Sequence, residues 1–235
     1  MIAELAPFAF LALVVIGFGL LIRHMMGLKK QLDQRTDELE IAVAPAGFFP
    51  SPARDRVAAE LLEAPRFKDR RLELTGLFAD QGPAGVRYVL DYSVRGGSSK
   101  SSTERGTAFA VRLTDRRMPR FVFRHSTVKM PGLVVAGLDK LINLRYPGFE
   151  RVPLESVSPE LADSLLYAED RDSGVRILSA DVIEALSRHD GWGIESTGRW
   201  LLAERDTHGR ALAPDIATVV DQLQEFRELA AAFEL

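Results

Sequence analysis

The chain has 235 residues, no cysteine, and 33 acidic side chains against 30 lysines and arginines, for a net charge of −3. The absence of cysteine excludes disulfides, thiolate metal sites and a cysteine nucleophile. There is no overall basic field to suit nucleic acid, and a composition 46% hydrophobic and 27% charged describes a folding chain, not a disordered one.

From Leu5 to Ile22 no residue carries charge: LAPFAFLALVVIGFGLLI. As a helix this run reaches about 27 Å, close to a hydrocarbon core of ~30 Å. It is apolar all round, whereas a helix on a globular core keeps a polar stripe. A signal peptide would carry positive charge ahead of the run, and only Glu4 is charged there. Residues 1–27 therefore read as a retained transmembrane anchor with a basic flank. Arg23, Lys29 and Lys30 follow the run, with Arg35 beyond, and such residues mark the cytoplasmic side. The expectation is a single-pass protein in the bilayer, N-terminus outside and body in the cytoplasm.

Residues 28–44 read as a juxtamembrane stalk helix, with Leu28, Leu32 and Leu39 on one face. Pro45, Gly47, Pro50 and Pro52 break it. Ser51-Pro52 then reads as a cap with proline at the first helical position, opening a helix with Val57, Ala58, Leu61 and Leu62 inward. A strand block follows. Leu72 to Thr75 alternates, Val86, Tyr88, Leu90, Tyr92 and Val94 alternate clearly, and Phe109, Val111 and Leu113 repeat the pattern before Phe121 and Phe123. Short linkers between these strands imply an antiparallel meander.

Beyond Pro131-Gly132 the period becomes helical through Val134, Val135, Leu138, Leu141 and Ile142. Tyr146-Pro147-Gly148-Phe149 turns into a strand at 150–154, and Leu165, Leu166 and Tyr167 make another. Ser179 caps a helix through Arg188, with Gly191 as its stop. Residues 194–204 form a hairpin turning at Thr197-Gly198, with Trp200 and Leu202 on one face. Pro214 opens a last helix whose stripe is Ile216, Val219, Val220, Leu223, Phe226, Ala230 and Phe233. The fold expected is α+β: an N-terminal transmembrane helix and stalk, then an antiparallel sheet with packed helices over 52–235, with a sub-boundary near 131–148.

The stretches YPGFERVPL, LLYAEDRD, VRILSADVIEAL and GWGIESTGRWLLAERD with the terminal helix resemble a family of uncharacterised bacterial membrane-anchored proteins of unknown function. The resemblance covers about ninety residues and rests on turns, caps and core positions. It implies the anchor, the α+β body and a bacterial plasma-membrane location. It brings no activity and no catalytic residues.

No motif carries chemistry. Gly96 to Thr103 lacks the glycine before Lys-Ser that a phosphate-binding loop needs, and a strand follows it, so it reads as a hairpin loop. His24, His125, His189 and His208 show no metal spacing, and G-x-S-x-G is absent. Glu169, Asp170 and Asp172 read as a solvated acidic loop without an EF-hand pattern. Trp192 and Trp200 read as packing residues. Arg116, Arg117, Arg120 and Arg124 cluster around a turn and are the one candidate contact to anionic lipid, although a plain exposed surface is preferred for such a run. No catalytic, cofactor or metal residue is assigned. The expected function is a membrane-anchored, non-catalytic interaction or scaffold domain with a protein partner. The alternatives are a domain sensing a ligand or lipid head group, and a hydrolase-like enzyme without a recognisable motif.

Overall fold

The structure is a computed structural model that describes residues 18, 20, 23, 26, 27 and 30–233, except 69, 97–102, 116, 126–131, 190 and 206–212, with backbone alone at 132–134 and 138. The run from Leu5 to Ile22 lies outside the described residues apart from Phe18 and Leu20, as do Lys29 and Arg116. Among the described residues no helix is long and apolar enough to cross a membrane.

The body is α+β, built on one nine-stranded antiparallel sheet. The strands are β1 (Phe49–Pro50), β2 (Arg71–Gln81), β3 (Gly85–Arg95), β4 (Thr103–Leu113), β5 (Phe121–Arg124), β6 (Glu150–Val152), β7 (Leu165–Ala168), β8 (Trp192–Ser196) and β9 (Trp200–Arg205), in the order β1-β2-β3-β4-β9-β8-β5-β7-β6. The meander β2-β3-β4 is the expected one, with longer outer strands: every residue of β3 pairs with β4, from Gly85 opposite Leu113 to Arg95 opposite Thr103. The hairpin β8-β9 turns through Gly198 at φ 95°, a left-handed value that favours glycine. It joins the meander to the rest of the sheet, β9 pairing β4 and β8 pairing β5.

The helices are α1 (30–43), α2 (Arg54–Leu61), α3 (Gly132–Arg145), α4 (Arg171–Ile177), α5 (Ala180–Arg188) and α6 (Ile216–Ala232). Strand alternation sorts the core into two sides. On the first side α1, α5 and α6 cover one continuous core. Leu39 and Val43 of α1, Val182 and Leu186 of α5, and Leu223 and Phe226 of α6 meet Phe109, Phe121, Trp192 and Ile194 of the sheet. Phe109 stacks on Phe226 at 5.2 Å between ring centroids. The Trp192 indole N–H donates to Glu225 at 2.8 Å, and Arg205 pairs with the same carboxylate at 2.9 Å, which pins α6 to the hairpin. On the second side the cover is in two pieces. Helix α2 and the loop after it pack Val57, Leu61 and Phe67 on β2, β3, β4 and β9, and α3 packs Ile142 and Tyr146 over β5 and β7.

Helix α1 is fastened to the sheet and does not stand clear of it. Arg35 donates to both carboxylate oxygens of Asp91 on β3, at 3.0 and 3.2 Å, and to the Thr107 hydroxyl at 3.1 Å. Thr107 in turn donates to Asp91 at 2.8 Å.

Two local expectations are corrected. The acidic loop at Glu169 to Asp172 opens a helix: Asp170 Oδ1 accepts the Ser173 N–H at 2.8 Å and is the N-cap of α4. The Asp170 carboxyl is lowered in pKa, first by the Ser173 side chain and then by its N–H. The N-cap of α2 is Ala53, so Ser51-Pro52 lies ahead of the helix and its hydroxyl accepts only the Ala53 N–H at 3.4 Å.

Candidate functional site

The divided cover on the second side leaves a cleft between the loop after α2 and α3, with a volume of about 310 Å³. Strand parity decides what stands beside it. Along β8, Trp192 and Ile194 face the first side, so Gly193 and Glu195 face the second, where they border a separate space of about 10 Å³ that shares Arg66 and Arg124 with the cleft. Along β9, Trp200 and Leu202 share the second side, and Glu204 continues their register to the same small space.

Arg66, from the loop after α2, forms the inner ion pair with Glu204 and donates to the Tyr92 hydroxyl at 3.0 Å. Tyr92 passes its own proton toward Glu204 Oε1 at 2.9 Å. At the rim Arg70 pairs with Glu104 at 2.7 Å. Arg124 from β5 and Arg145 from the end of α3 complete the basic lining, and Leu141, Ile142 and Leu165 form its apolar wall. Neither Arg124 nor Arg145 makes a salt bridge to a described acid.

Two glycines make room for these groups. A Cβ on Gly193 would stand 1.6 Å from Arg124 Nη1, so the guanidinium occupies the space of the missing side chain. A Cβ on Gly106 of β4 would stand 2.7 Å from the Tyr92 hydroxyl and 3.0 Å from Glu204 Oε1. Contacts under about 3 Å force something to move.

Glu195 is the most exposed to cost. It is buried at 3% relative exposure, with the Tyr146 hydroxyl and the Arg66 backbone N–H as its hydrogen-bonding neighbours. Burial pushes its pKa up, while the Tyr146 hydroxyl it faces and the guanidiniums of Arg124 and Arg66 draw it back. Burial also raises the hydroxyls of Tyr146 and Tyr92, helped by Glu195 and Glu204 respectively, so both stay protonated donors. Burial alone would lower the Arg66 guanidinium, but Glu204, then Tyr92 and Glu104, more than reverse it. Burial raises the Glu204 carboxyl as well, against the pull of Arg66.

The described lining contains no serine, threonine or histidine to serve as nucleophile or base. Among the described residues no cluster of acids and histidines is gathered for a metal ion. The lining brings together four guanidiniums, the hydroxyls of Tyr146 and Tyr167, and an apolar wall; guanidiniums so placed match the geometry of carboxylate and phosphate.

Of the four arginines singled out around the turn, the structure describes three. Arg116 lies outside the described residues, and Arg117 is exposed. Arg120 pairs with Glu169 at 2.6 Å and lies over the Phe149 ring at 5.6 Å. Arg124 turns into the cleft. Arg66, Tyr92, Tyr146, Glu195 and Glu204 were not singled out by sequence. The signal was available in the hairpin: Glu204 stands two residues beyond Leu202 on the face of Trp200, an acid on an otherwise apolar face.

No family model matches the chain, and no curated protein matches it in sequence. Among solved structures it is similar to the mycobacterial trehalose monomycolate transport factor A, TtfA, with a TM-score of 0.48 and 12% identity over 86% of this chain and 93% of that one. A likeness this remote constrains neither ligand nor activity.

Proposed function

We propose that the protein is a membrane-tethered, non-catalytic domain that binds a small anionic group in the cleft between the loop after α2 and α3. The observation that carries this is the convergence of Arg66, Arg70, Arg124 and Arg145 on one cavity. Guanidiniums match carboxylate and phosphate in pairs of hydrogen bonds, and a partly dry cleft strengthens them. The tether is the run from Leu5 to Ile22, supported by its length, its all-round apolarity and the basic residues Arg23, Lys29 and Lys30 after it. The body lies on the cytoplasmic side. Helix α1 follows the tether directly in sequence and is clamped by Arg35, so the body is held at a fixed attitude to the end of that helix.

Calorimetric titration of the full chain in uncharged detergent tests the site, with phenyl phosphate as the anionic probe and phenol as its neutral counterpart. Saturable uptake of phenyl phosphate alone is expected, weakened about tenfold or more by Arg124→Gln. Equal uptake of both probes, or none, removes the proposal. The tether is tested by carbonate extraction of cell membranes, from which a chain lacking residues 5–22 is expected to be released while the full chain is retained.

A further inference from the structure

We infer that Glu104 is a built-in competitor for the cleft: its carboxylate holds Arg70 until a doubly charged phosphate monoester displaces it, and Arg70, Arg124 and Arg145 then share the phosphate. This rests on the cleft being an anion site and adds the charge and class of its ligand.

The four arginines of the lining differ in what holds them. Arg66 is committed inward, by its ion pair with Glu204 and its bond to the Tyr92 hydroxyl at 3.0 Å. The Glu204 side chain is only 17% exposed and also accepts from Tyr92 at 2.9 Å. Exchanging that acid for a ligand would expose a buried, doubly bonded carboxylate, so Arg66 is not released. Arg124 and Arg145 pair with no acid among the described residues.

Arg70 stands between these cases. It pairs with Glu104 at 2.7 Å, and Glu104 reaches Arg66 only at 3.8 Å. The Glu104 side chain is 44% exposed, so this is a rim contact with water on one side. An ion pair so placed is weak, and its acid regains hydration when it leaves. Glu104 also repels the Glu204 carboxylate, adding to the rise in pKa that burial gives the latter. Displacing Glu104 relieves that repulsion, whereas displacing Glu204 would strand Arg66.

Charge then selects the ligand. A singly charged ligand at Arg70 only replaces one negative charge by another. A dianion restores the charge that Glu104 withdraws and brings a second one for Arg124 and Arg145. A phosphate monoester carries three unesterified oxygens for three guanidiniums, and its second pKa of about 6 leaves it doubly charged at pH 8. A phosphodiester or a carboxylate offers two such oxygens and one charge. The ester substituent lies against Leu141, Ile142 and Leu165, and about 310 Å³ is the small end of the range for ligand pockets.

The test is calorimetric titration of the full chain in uncharged detergent at pH 8. Phenyl phosphate is the dianion, and methyl phenyl phosphate and benzoate are the single charges. Phenyl phosphate is expected to bind about tenfold or more tighter than either. Glu104→Gln frees Arg70 and is expected to tighten phenyl phosphate about fivefold. An acid that merely positioned Arg70 would give the opposite sign. With Arg70→Gln already in place, adding Glu104→Gln is expected to change affinity less than about twofold, because the competition is for Arg70. Glu184→Gln makes the same charge change on α5 and is expected to leave affinity unchanged. Circular dichroism melts confirm that each variant is folded.

Weaker or unchanged binding by Glu104→Gln overturns the competitor role. A fivefold gain that persists without Arg70, or appears equally with Glu184→Gln, assigns the effect to overall charge and overturns it too. Methyl phenyl phosphate or benzoate binding as tightly as phenyl phosphate overturns the doubly charged ligand. Any of these results beside saturable phenyl phosphate binding sinks this inference alone. No binding of phenyl phosphate by the unaltered chain or by Glu104→Gln sinks the anion site with it.

Discussion

The two sides of the sheet each bury a charged cluster, and they differ in how completely it is closed. On the first side Asp91 accepts from Arg35 at two atoms, from Thr107 at 2.8 Å and from Thr75 at 3.4 Å, so its oxygens are fully engaged. On the second side Arg66, Tyr92 and Glu204 satisfy one another, and beside them Arg70, Arg124 and Arg145 line a cavity of about 310 Å³. Both clusters bury polar groups beside apolar core. The closed one has nothing left to offer a ligand and acts as a fastener for α1. The open one presents guanidiniums to a space, and the proposed binding site rests on that difference.

The contrast can be broken most forcefully at the closed cluster. Asp91→Ala leaves the Arg35 guanidinium facing the sheet without its acid and is expected to cost about 3 kcal/mol, read from the shift of the guanidinium chloride midpoint. Loss below about 1 kcal/mol would place this pair among weak surface bridges. At the open cluster Gly106→Ala drives a methyl into the Tyr92 hydroxyl and is expected to cost about 2 kcal/mol by the same measurement. An unchanged midpoint would show that the Tyr92–Glu204 contact yields freely.

Glu195→Gln is expected to stabilise by about 1 kcal/mol at pH 8. The sign follows from burial. Its pKa is raised above the ordinary 4.5, so the folded state holds this proton more tightly than the unfolded chain. Stability of the unaltered protein therefore falls as pH rises from about 4.5 through the raised value, against the opposing pull of Arg124, Arg66 and the Tyr146 hydroxyl. Glutamine stands in for the protonated acid, so its advantage grows with pH and vanishes below about 4.5. Thermal melts of both proteins across pH 4 to 8 read this directly, and a pH-independent difference would contradict it. The smallest effect is expected at Glu184→Gln. This breaks an exposed i,i+4 pair with Arg188 and should change stability by less than about 0.5 kcal/mol in a denaturant titration.

Much of the fold was legible in the chain. The alternation at Val86 to Val94, the turn at Gly198 and the stripe of the last helix each state a local period, and periodicity is a property of neighbouring residues. Helix α4 was hidden because a short helix behind an acidic run has no stripe long enough to see, and only the bond from Ser173 N–H to Asp170 reveals the cap. The cleft was hidden for a different reason. Its groups come from the loop after α2, from β4, β5 and β7, and from α3 and its end, and no spacing along the chain brings Arg66 to Arg145, or Arg66 to Glu204 beside the cleft.

Sequence alone determines the apolar N-terminal run with its basic flank, the exclusion of cysteine chemistry, and the order of the longer strands and helices. These follow from composition and from the near-neighbour geometry of the backbone. Tertiary structure alone decided that α1 is clamped to the sheet by Arg35, that Arg120 pairs with Glu169 while Arg124 lines the cleft, and that Gly193 and Gly106 open space for charge. Such facts depend on which strands pair and which side each helix covers, and strand pairing joins residues that no local pattern connects.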